Sequence, residues 1–100
     1  MSLTSILAED RRLAILLTLM EASGYELNED ALKQVLRLLA HVVTQDVLRG
    51  DLSWLSEQGL VRVEKIPVTS GELWIAHLTG NGQDVANGAP YPGIARPRAR

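Results

Sequence analysis

The apolar residues of this chain recur at helical spacing in three successive segments. Residues 3–22 predict a first helix, whose main apolar stripe consists of Ile6, Leu13, Leu16, Leu17 and Met20. Ile15 and Leu19 lie off that stripe and give the helix apolar surface on a second side. We expect a second copy of the chain to cover this surplus surface, and Gly24 to end the helix.

Two shorter helices follow, each preceded by a residue that can cap it. Asn28 precedes the second helix, whose inner face consists of Leu32, Val35, Leu36 and Leu39. Thr44 precedes the third helix, and Gly59 ends it. The inner stripe of the third helix, spaced i, i+4 and i+7, consists of Leu48, Leu52 and Leu55. The few residues between these two helices predict a tight turn.

After Gly59 the pattern changes from helical to strand-like. LVRVEKI (60–66) and ELWIAHL (72–78) are rich in residues that favour strands, and PVTSG (67–71) between them predicts a hairpin. Thr79 can cap a short last helix over residues 80–87. The ending, GAPYPGIARPRAR, has no periodicity, and we expect it to be mobile unless it docks on the rest of the chain.

The order helix, helix, helix, strand, strand, helix predicts a mainly α, α+β fold of the winged helix-turn-helix type. Such a fold has a three-helix core, a two-stranded β-hairpin wing, and here also a short C-terminal helix and a tail. We expect residues 1–88 to form the winged helix-turn-helix domain and residues 89–100 to form the Pro- and Arg-rich tail.

Two passages of the sequence resemble bacterial winged-helix regulators of the ArsR and MarR types. DLSWLSEQGLVRVEK (51–65) resembles their junction between recognition helix and wing, and LTGNGQDVANG (78–88) resembles the segment after their wing. EDRRLAILLTLMEASGYELNEDALKQVL (9–36), together with that junction and the late Pro-Gly…Arg-Pro (92–97), is similar to small winged-helix proteins of Mu-like prophages. The resemblance implies a winged helix of phage type. It does not imply the metal sensing of ArsR-type proteins, which uses cysteine thiolates that this chain lacks.

Composition narrows the classes of function. The absence of cysteine excludes a disulfide scaffold, a thiolate zinc site and a cysteine nucleophile, and His41 and His77 have no metal-ligand spacing. The chain has neither a nucleophile-elbow motif nor a phosphate-binding glycine loop, so we expect no enzyme and no cofactor. The longest apolar run, LAILLTLM (13–20), is too short to span a membrane, and no signal-peptide pattern surrounds it. We therefore expect a cytoplasmic protein without membrane contact.

The distribution of charge weighs against strong DNA binding. The chain has 10 basic and 12 acidic residues, and the last five positions hold Arg96, Arg98 and Arg100. Residues 1–95 therefore contain seven bases and twelve acids. Since affinity for DNA rests largely on phosphate neutralisation by Lys and Arg, this surplus of acids lowers the affinity that we expect.

The position of the third helix predicts which residues contact DNA. Its outward side chains can hydrogen-bond to base edges, its first turn can hold a phosphate, and the wing and tail offer further bases and hydroxyls. The predicted contacts are Thr44, Gln45, Asp46, Arg49 and Ser53 in the helix, Arg62, Lys65, Thr69 and Ser70 in the wing, and Arg96, Arg98 and Arg100 in the tail. The alternative is that these are solvated polar side chains.

Three other residues have alternative interpretations. Gly50, which costs a helix about 1 kcal/mol relative to Ala, permits close approach either of DNA or of the second helix. Trp54 packs within the chain or lies at the centre of a patch for a partner, and Ile15, Leu19 and Trp54 form the predicted dimer interface. Trp74 is expected to pack at the root of the wing.

These observations lead to two hypotheses of different classes. The first is a sequence-specific protein that binds double-stranded DNA, a transcriptional regulator of phage type acting as a homodimer. The second is a non-catalytic adaptor that contacts another phage protein in assembly or DNA packaging, with the winged helix as scaffold. Bases converging on one face would favour the regulator, and acids around the third helix would favour the adaptor.

Overall fold

The structure, a computed structural model, describes residues 2–97, and these form four α-helices and a three-stranded antiparallel sheet. The elements are α1 (Leu3–Glu21), a 3-10 turn (Ser23–Tyr25), β1 (Glu26–Asn28), α2 (Glu29–Leu38), α3 (Gln45–Glu57), β2 (Val61–Val68), β3 (Gly71–Leu78) and α4 (Gly80–Ala86). The predicted α+β class with mainly helical content is confirmed. In the part of the chain that the structure describes, none of the helices combines the length and the apolar character needed to cross a membrane.

The helices begin where the sequence predicts caps. The side chains of Asn28, Thr44 and Thr79 each accept a hydrogen bond from the backbone N–H three residues later. Each bond satisfies one of the amides that have no partner inside the helix. After α3 the chain turns at Gly59, whose φ of 75° is in the left-handed region that glycine adopts without strain. These boundaries are confirmed.

The sheet differs from the prediction in two ways. The three-residue strand β1 pairs with β3, which gives the order β1-β3-β2 instead of an isolated hairpin. The hairpin is also longer, because Pro67 pairs with Glu72 and the turn contains only residues 69 and 70. Pro67 fits within a strand because β2 lies at the edge of the sheet, where its missing N–H need not cost a ladder bond.

The core is centred on α1, which is buried on more than one side as the sequence indicated. The cover, however, comes from the chain itself: α1 packs against α2 and β3, and also against α4. Ile15 and Leu19 are fully buried in this way and have no surface left for a second subunit, which corrects their assignment to a dimer interface. Ile6 and Leu17, which we expected on the inner stripe, are instead exposed.

The C-terminal part of the chain belongs to the core. In α4, Val85 and Ala86 are buried, so this helix is a fourth member of the core rather than an appendage to three helices. Beyond it Ile94 is buried, and the backbone N–H of Ala95 donates to the carbonyl of Glu9 at 3.2 Å. The predicted tail is thus docked on α1 over much of its described length.

A close approach of α4 to the α3–β2 junction provides a test of the packing. A Cβ added at Gly82 would lie 2.1 Å from the carbonyl oxygen of Leu60, whereas at Gly80 no described atom lies within 4 Å of the added Cβ. We expect Gly82→Ala to lower the free energy of unfolding by about 2–3 kcal/mol, because backbone must move. Gly80→Ala, the matched control, should be neutral or stabilising by up to about 1 kcal/mol. Denaturant unfolding measures both, and equal values would contradict this packing.

Candidate nucleic-acid interface

The outer face of α3 is largely free of bases. Leu48, Leu52 and Leu55 point into the core, as predicted. The exposed residues of α3 are Gln45, Asp46, Val47, Gly50, Ser56 and Glu57. Ser53 is half-buried, and Thr44 is exposed, with its hydroxyl accepting from the N–H of Val47 at 3.2 Å. The exposed side chains on the face that would meet DNA are therefore uncharged or acidic.

Arg49, the base that we expected to contact DNA from this helix, is bound within the chain. Its Nε and Nη2 donate to the two carboxylate oxygens of Glu29 at 2.7 and 2.8 Å. Nη2 also donates to the carbonyl of Glu72 at 2.9 Å, and the guanidinium lies 4.7 Å from the centre of the Trp74 ring. To reach a base edge, this side chain would have to leave a two-pronged ion pair and an aromatic face.

Glu29 is the centre of this arrangement. Only 2% of the residue is exposed, and its carboxylate also accepts from the backbone N–H of Trp74 at 2.8 Å and from Gln45 at 3.3 Å. Hydrogen bonding by Arg49 holds the pKa of Glu29 below its ordinary value, against the opposing effect of burial, and the Trp74 amide adds to the lowering. The same contact raises the pKa of Arg49. The cluster joins α2, α3 and β3.

A second buried carboxylate lies on the inner side of α3. Asp51 pairs through both oxygens with the guanidinium of Arg11, a contact that raises the pKa of Arg11. Arg12 approaches the same carboxylate at 3.8 Å, and its Nη1 donates to the carbonyl of Gly93 at 2.9 Å. Two further bases are thereby engaged inside the chain.

Trp54 is covered by residues of its own chain. The Arg12 guanidinium lies 4.2 Å from the centre of its ring, and Tyr91 meets it edge-on with centroids 6.3 Å apart. Gly93 lies so close that an added Cβ would be 2.8 Å from the indole. Trp54 therefore packs within the chain, which is one of the two interpretations that the sequence allowed, and remains half-buried.

Two basic residues of α2 lie close to α3 but are not among the predicted DNA contacts. Lys33 and Arg37, one turn apart on α2, line an open groove of about 630 Å³ together with Thr44 and Gln45 at the start of α3. Within residues 2–97, neither has a carboxylate within 4 Å. The spacing Glu29–Lys33 predicts an ion pair on the helix surface, but Glu29 points inward to Arg49 instead. The sequence signal that could have identified Lys33 and Arg37 is the i, i+4 spacing of two basic residues on the outer face of α2.

The predicted wing contacts are divided between the two faces of the sheet. Lys65 pairs in register with Trp74, lies 4.5 Å from its ring centre and lines a groove with Ser53. Arg62 is three positions away and therefore lies on the opposite face, in register with His77. Thr69 and Ser70 are exposed at the hairpin tip. Arg96 is exposed, whereas Arg98 and Arg100 lie outside the described residues.

Gly50 lies on an open part of the α3 surface. Since no described atom lies within 4 Å of a Cβ added at Gly50, the alternative of a close contact with the second helix is wrong, and the surface there is open to an external molecule.

His77 lies between Glu26 and Glu64, at 3.2 and 3.0 Å, and links the three strands. Among residues 2–97 no group of three or more ionisable ligands is arranged to hold a metal ion.

The lowered pKa of Glu29 predicts a pH dependence of stability. A carboxylate whose pKa is depressed on folding contributes stability that is present above its ordinary pKa of 4.5 and is lost as pH falls below it. Glu29→Gln should reduce the unfolding free energy at neutral pH by about 1–3 kcal/mol, because it leaves buried donors without a charged acceptor. The deficit should shrink on acidification.

Asp30→Asn is the matched control, since it removes the same charge from the neighbouring, exposed position of the same helix end. It should change the unfolding free energy by less than about 1 kcal/mol. Unfolding by denaturant at a series of pH values measures both variants. A Glu29→Gln deficit that stays constant from neutral to strongly acidic pH would contradict the assignment.

Comparisons with known proteins point to a phage relative. No family model matches the chain. The chain is 44% identical over 99 residues, 98% of each protein, to an uncharacterized protein, gp26, of Escherichia phage Mu. It is also 41% identical to an uncharacterized protein of Haemophilus influenzae over 66 residues, 66% of this chain and 64% of the relative. Identity of this level over almost the whole of both chains, in agreement with the resemblance to Mu-like prophage proteins, shows that the chain belongs to the family of phage Mu gp26.

Proposed function

We propose that the chain is a winged helix-turn-helix protein that binds double-stranded DNA with the outer face of α3. The order of elements supports this proposal: six residues, 39–44, join α2 to α3, and the β2–β3 hairpin follows α3 as a wing would. Because the relative is a phage protein, the biological role that we propose is that of a phage-type transcriptional regulator.

The observation that carries the proposal is the placement, at both ends of the α3 face, of basic side chains that have no carboxylate partner among residues 2–97. Lys33 and Arg37 lie beside its first turn, at Thr44, and Lys65 lies beside Ser53 and Ser56 in its second half. Thr44 and Ser56 are twelve positions apart, which is about 18 Å along a helix axis. When a helix lies in the major groove, basic side chains at its two ends can contact phosphates on the two sides of the groove. The part of the helix between those ends can then contact the edges of the DNA bases.

In this proposal the residues that contact the DNA bases are those in the first turns of α3, and Arg49 is not one of them. The carboxylate of Asp46 can accept from a cytosine amine, Val47 can contact a thymine methyl, and Gln45 can pair with adenine. Gly50 lets the helix axis approach the groove closely because it adds no side chain there. Arg49 has a positioning role, since it holds α3 against α2 and β3 through Glu29.

One set of observations favours the adaptor as a second candidate. Leu38 and Val42, at the end of α2 and in the turn after it, are 85% and 79% exposed, the kind of apolar surface that contacts proteins. Asp46 and Glu57 are exposed on α3, and a basic partner would fit them better than DNA would. In this second proposal the chain joins another phage protein during assembly or DNA packaging.

Selection from randomised duplex DNA at low and moderate salt tests the first proposal. We expect an enriched sequence and an affinity that falls with salt with a logarithmic slope near −3 per chain, since about three free bases face the DNA. The double variant Lys33→Gln/Arg37→Gln should weaken binding to all sequences and reduce the slope by about 2. Arg62→Gln, which removes a charge on the opposite sheet face, should leave the slope unchanged.

Two results would contradict DNA binding by this face. One is the absence of both an enriched sequence and a salt-dependent affinity in the folded wild-type chain. The other is an equal loss of affinity in Arg62→Gln and in a single Lys33→Gln variant, which would indicate attraction by overall charge alone.

A further inference from the structure

α1 has an apolar stripe that no described part of the chain covers. Leu3 is 70% exposed, and Ile6, Leu7 and Leu17 are also exposed. With 3.6 residues per turn, these four side chains lie within about a quarter of the helix circumference. A surface helix normally directs its apolar side chains at a neighbouring element, and in residues 2–97 these side chains have none over them.

The same face of α1 leads into an apolar groove. The groove is lined by Leu17 and Thr18 of α1, by Val35 of α2 and Leu39 directly after it, and by Leu27 of β1. The groove has a volume of about 480 Å³, and Glu21 lies on its rim. The stripe and the groove lie on the same face of α1, with Leu7 and Leu17 ten positions, or about 15 Å, apart and the exposed Asp10 between them.

We propose that two copies of the chain pair antiparallel through α1, so that the N-terminal stripe of each fills the groove of the other. A protruding stripe and a receiving groove on one helix face are self-complementary under a two-fold axis that crosses α1 between them. Leu7 of one copy then lies against Leu17 of its partner, and the arrangement closes as a dimer. This surface replaces the buried Ile15 and Leu19 of the sequence prediction, and it does not depend on DNA binding.

The charges at the ends of α1 select a second copy as the occupant. The first turn of α1 contains no acid and the last turn contains no base, while the exposed Glu21 lies at the C-terminal end, where the helix dipole disfavours an acid. Antiparallel pairing brings Glu21 of each copy to the positive N-terminal end of the other α1. A charge that is unfavourable in the single chain becomes favourable twice in the dimer.

The groove has the composition of an interface. Leu17 and Leu39, both exposed, supply an apolar centre, and Thr18 and Glu21, which also line the groove, supply polar side chains.

Sedimentation equilibrium over a range of concentrations tests the proposal. The wild-type chain should be a dimer, and Leu7→Glu should weaken the dimer by on the order of 100-fold or more, because the carboxylate would enter the apolar groove. Val68→Glu, a matched change at a similarly exposed apolar residue of the wing, should leave the dimer intact. A monomeric wild type, or equal weakening by the two variants, would overturn the proposal.

The orientation is tested by a pair of variants at one position. Leu3 would lie near Glu21 of the partner, so Leu3→Lys should dimerise more tightly than Leu3→Glu, by about tenfold. Both variants lose the same apolar contact at a residue outside the core. Equal dimer affinities would exclude the antiparallel arrangement.

Because the natural chain has no cysteine, cross-linking gives an independent readout. A mixture of Leu7→Cys and Leu17→Cys chains should form the mixed disulfide in preference to either disulfide between identical variants. Each variant chain carries a single cysteine, so every disulfide that forms joins two chains. Preferred disulfides between two Leu7→Cys chains would indicate parallel helices and overturn the proposal. Circular dichroism of each variant establishes that it is folded.

Discussion

The buried carboxylate of Glu29 is the constraint on which the arrangement of α2, α3 and β3 depends. A charge removed from water must be fully paired, and Glu29 of α2 meets this requirement with three donors from two other elements: Arg49 and Gln45 of α3 and the Trp74 amide of β3. Any rotation of α3 that would free Arg49 leaves this buried carboxylate without its cationic partner. The position of the helix and the unavailability of its one base therefore have the same cause.

Asp51 applies the same requirement on the other side of α3. It engages Arg11 and draws in Arg12, whose guanidinium then covers Trp54 and binds the C-terminal segment at Gly93. Three of the seven bases in residues 1–95 are thus used to hold the fold together. A surface that binds phosphates must rely on the bases that remain, and of these Lys33, Arg37 and Lys65 adjoin α3.

Local signals allowed the sequence to predict the helices, their caps, the Leu48 stripe and the hairpin, since all of them act within a few residues. The strand β1 escaped prediction because its three residues are extended only by pairing with β3, nearly fifty positions later. On α1, Leu13 and Leu16 were assigned correctly to the buried face, but Leu17 was not, because residues 13–20 are apolar almost all round and periodicity could not select a side. The partner of Arg49 lies twenty positions away, and no spacing rule connects them.

The proposed dimer and the proposed DNA contact bear on each other through charge. Three bases beside α3 neutralise few phosphates, and a chain with twelve acids in residues 1–95 repels the rest of the duplex. Two chains on one duplex would present six such bases and roughly double the salt dependence, while each recognition face remained neutral or acidic. Affinity would then come from pairing two weak surfaces, and selectivity from the base edges that Asp46 and Val47 meet. A protein built in this way would discriminate well and bind non-target DNA poorly, because no single chain carries enough positive charge to hold DNA without the correct bases.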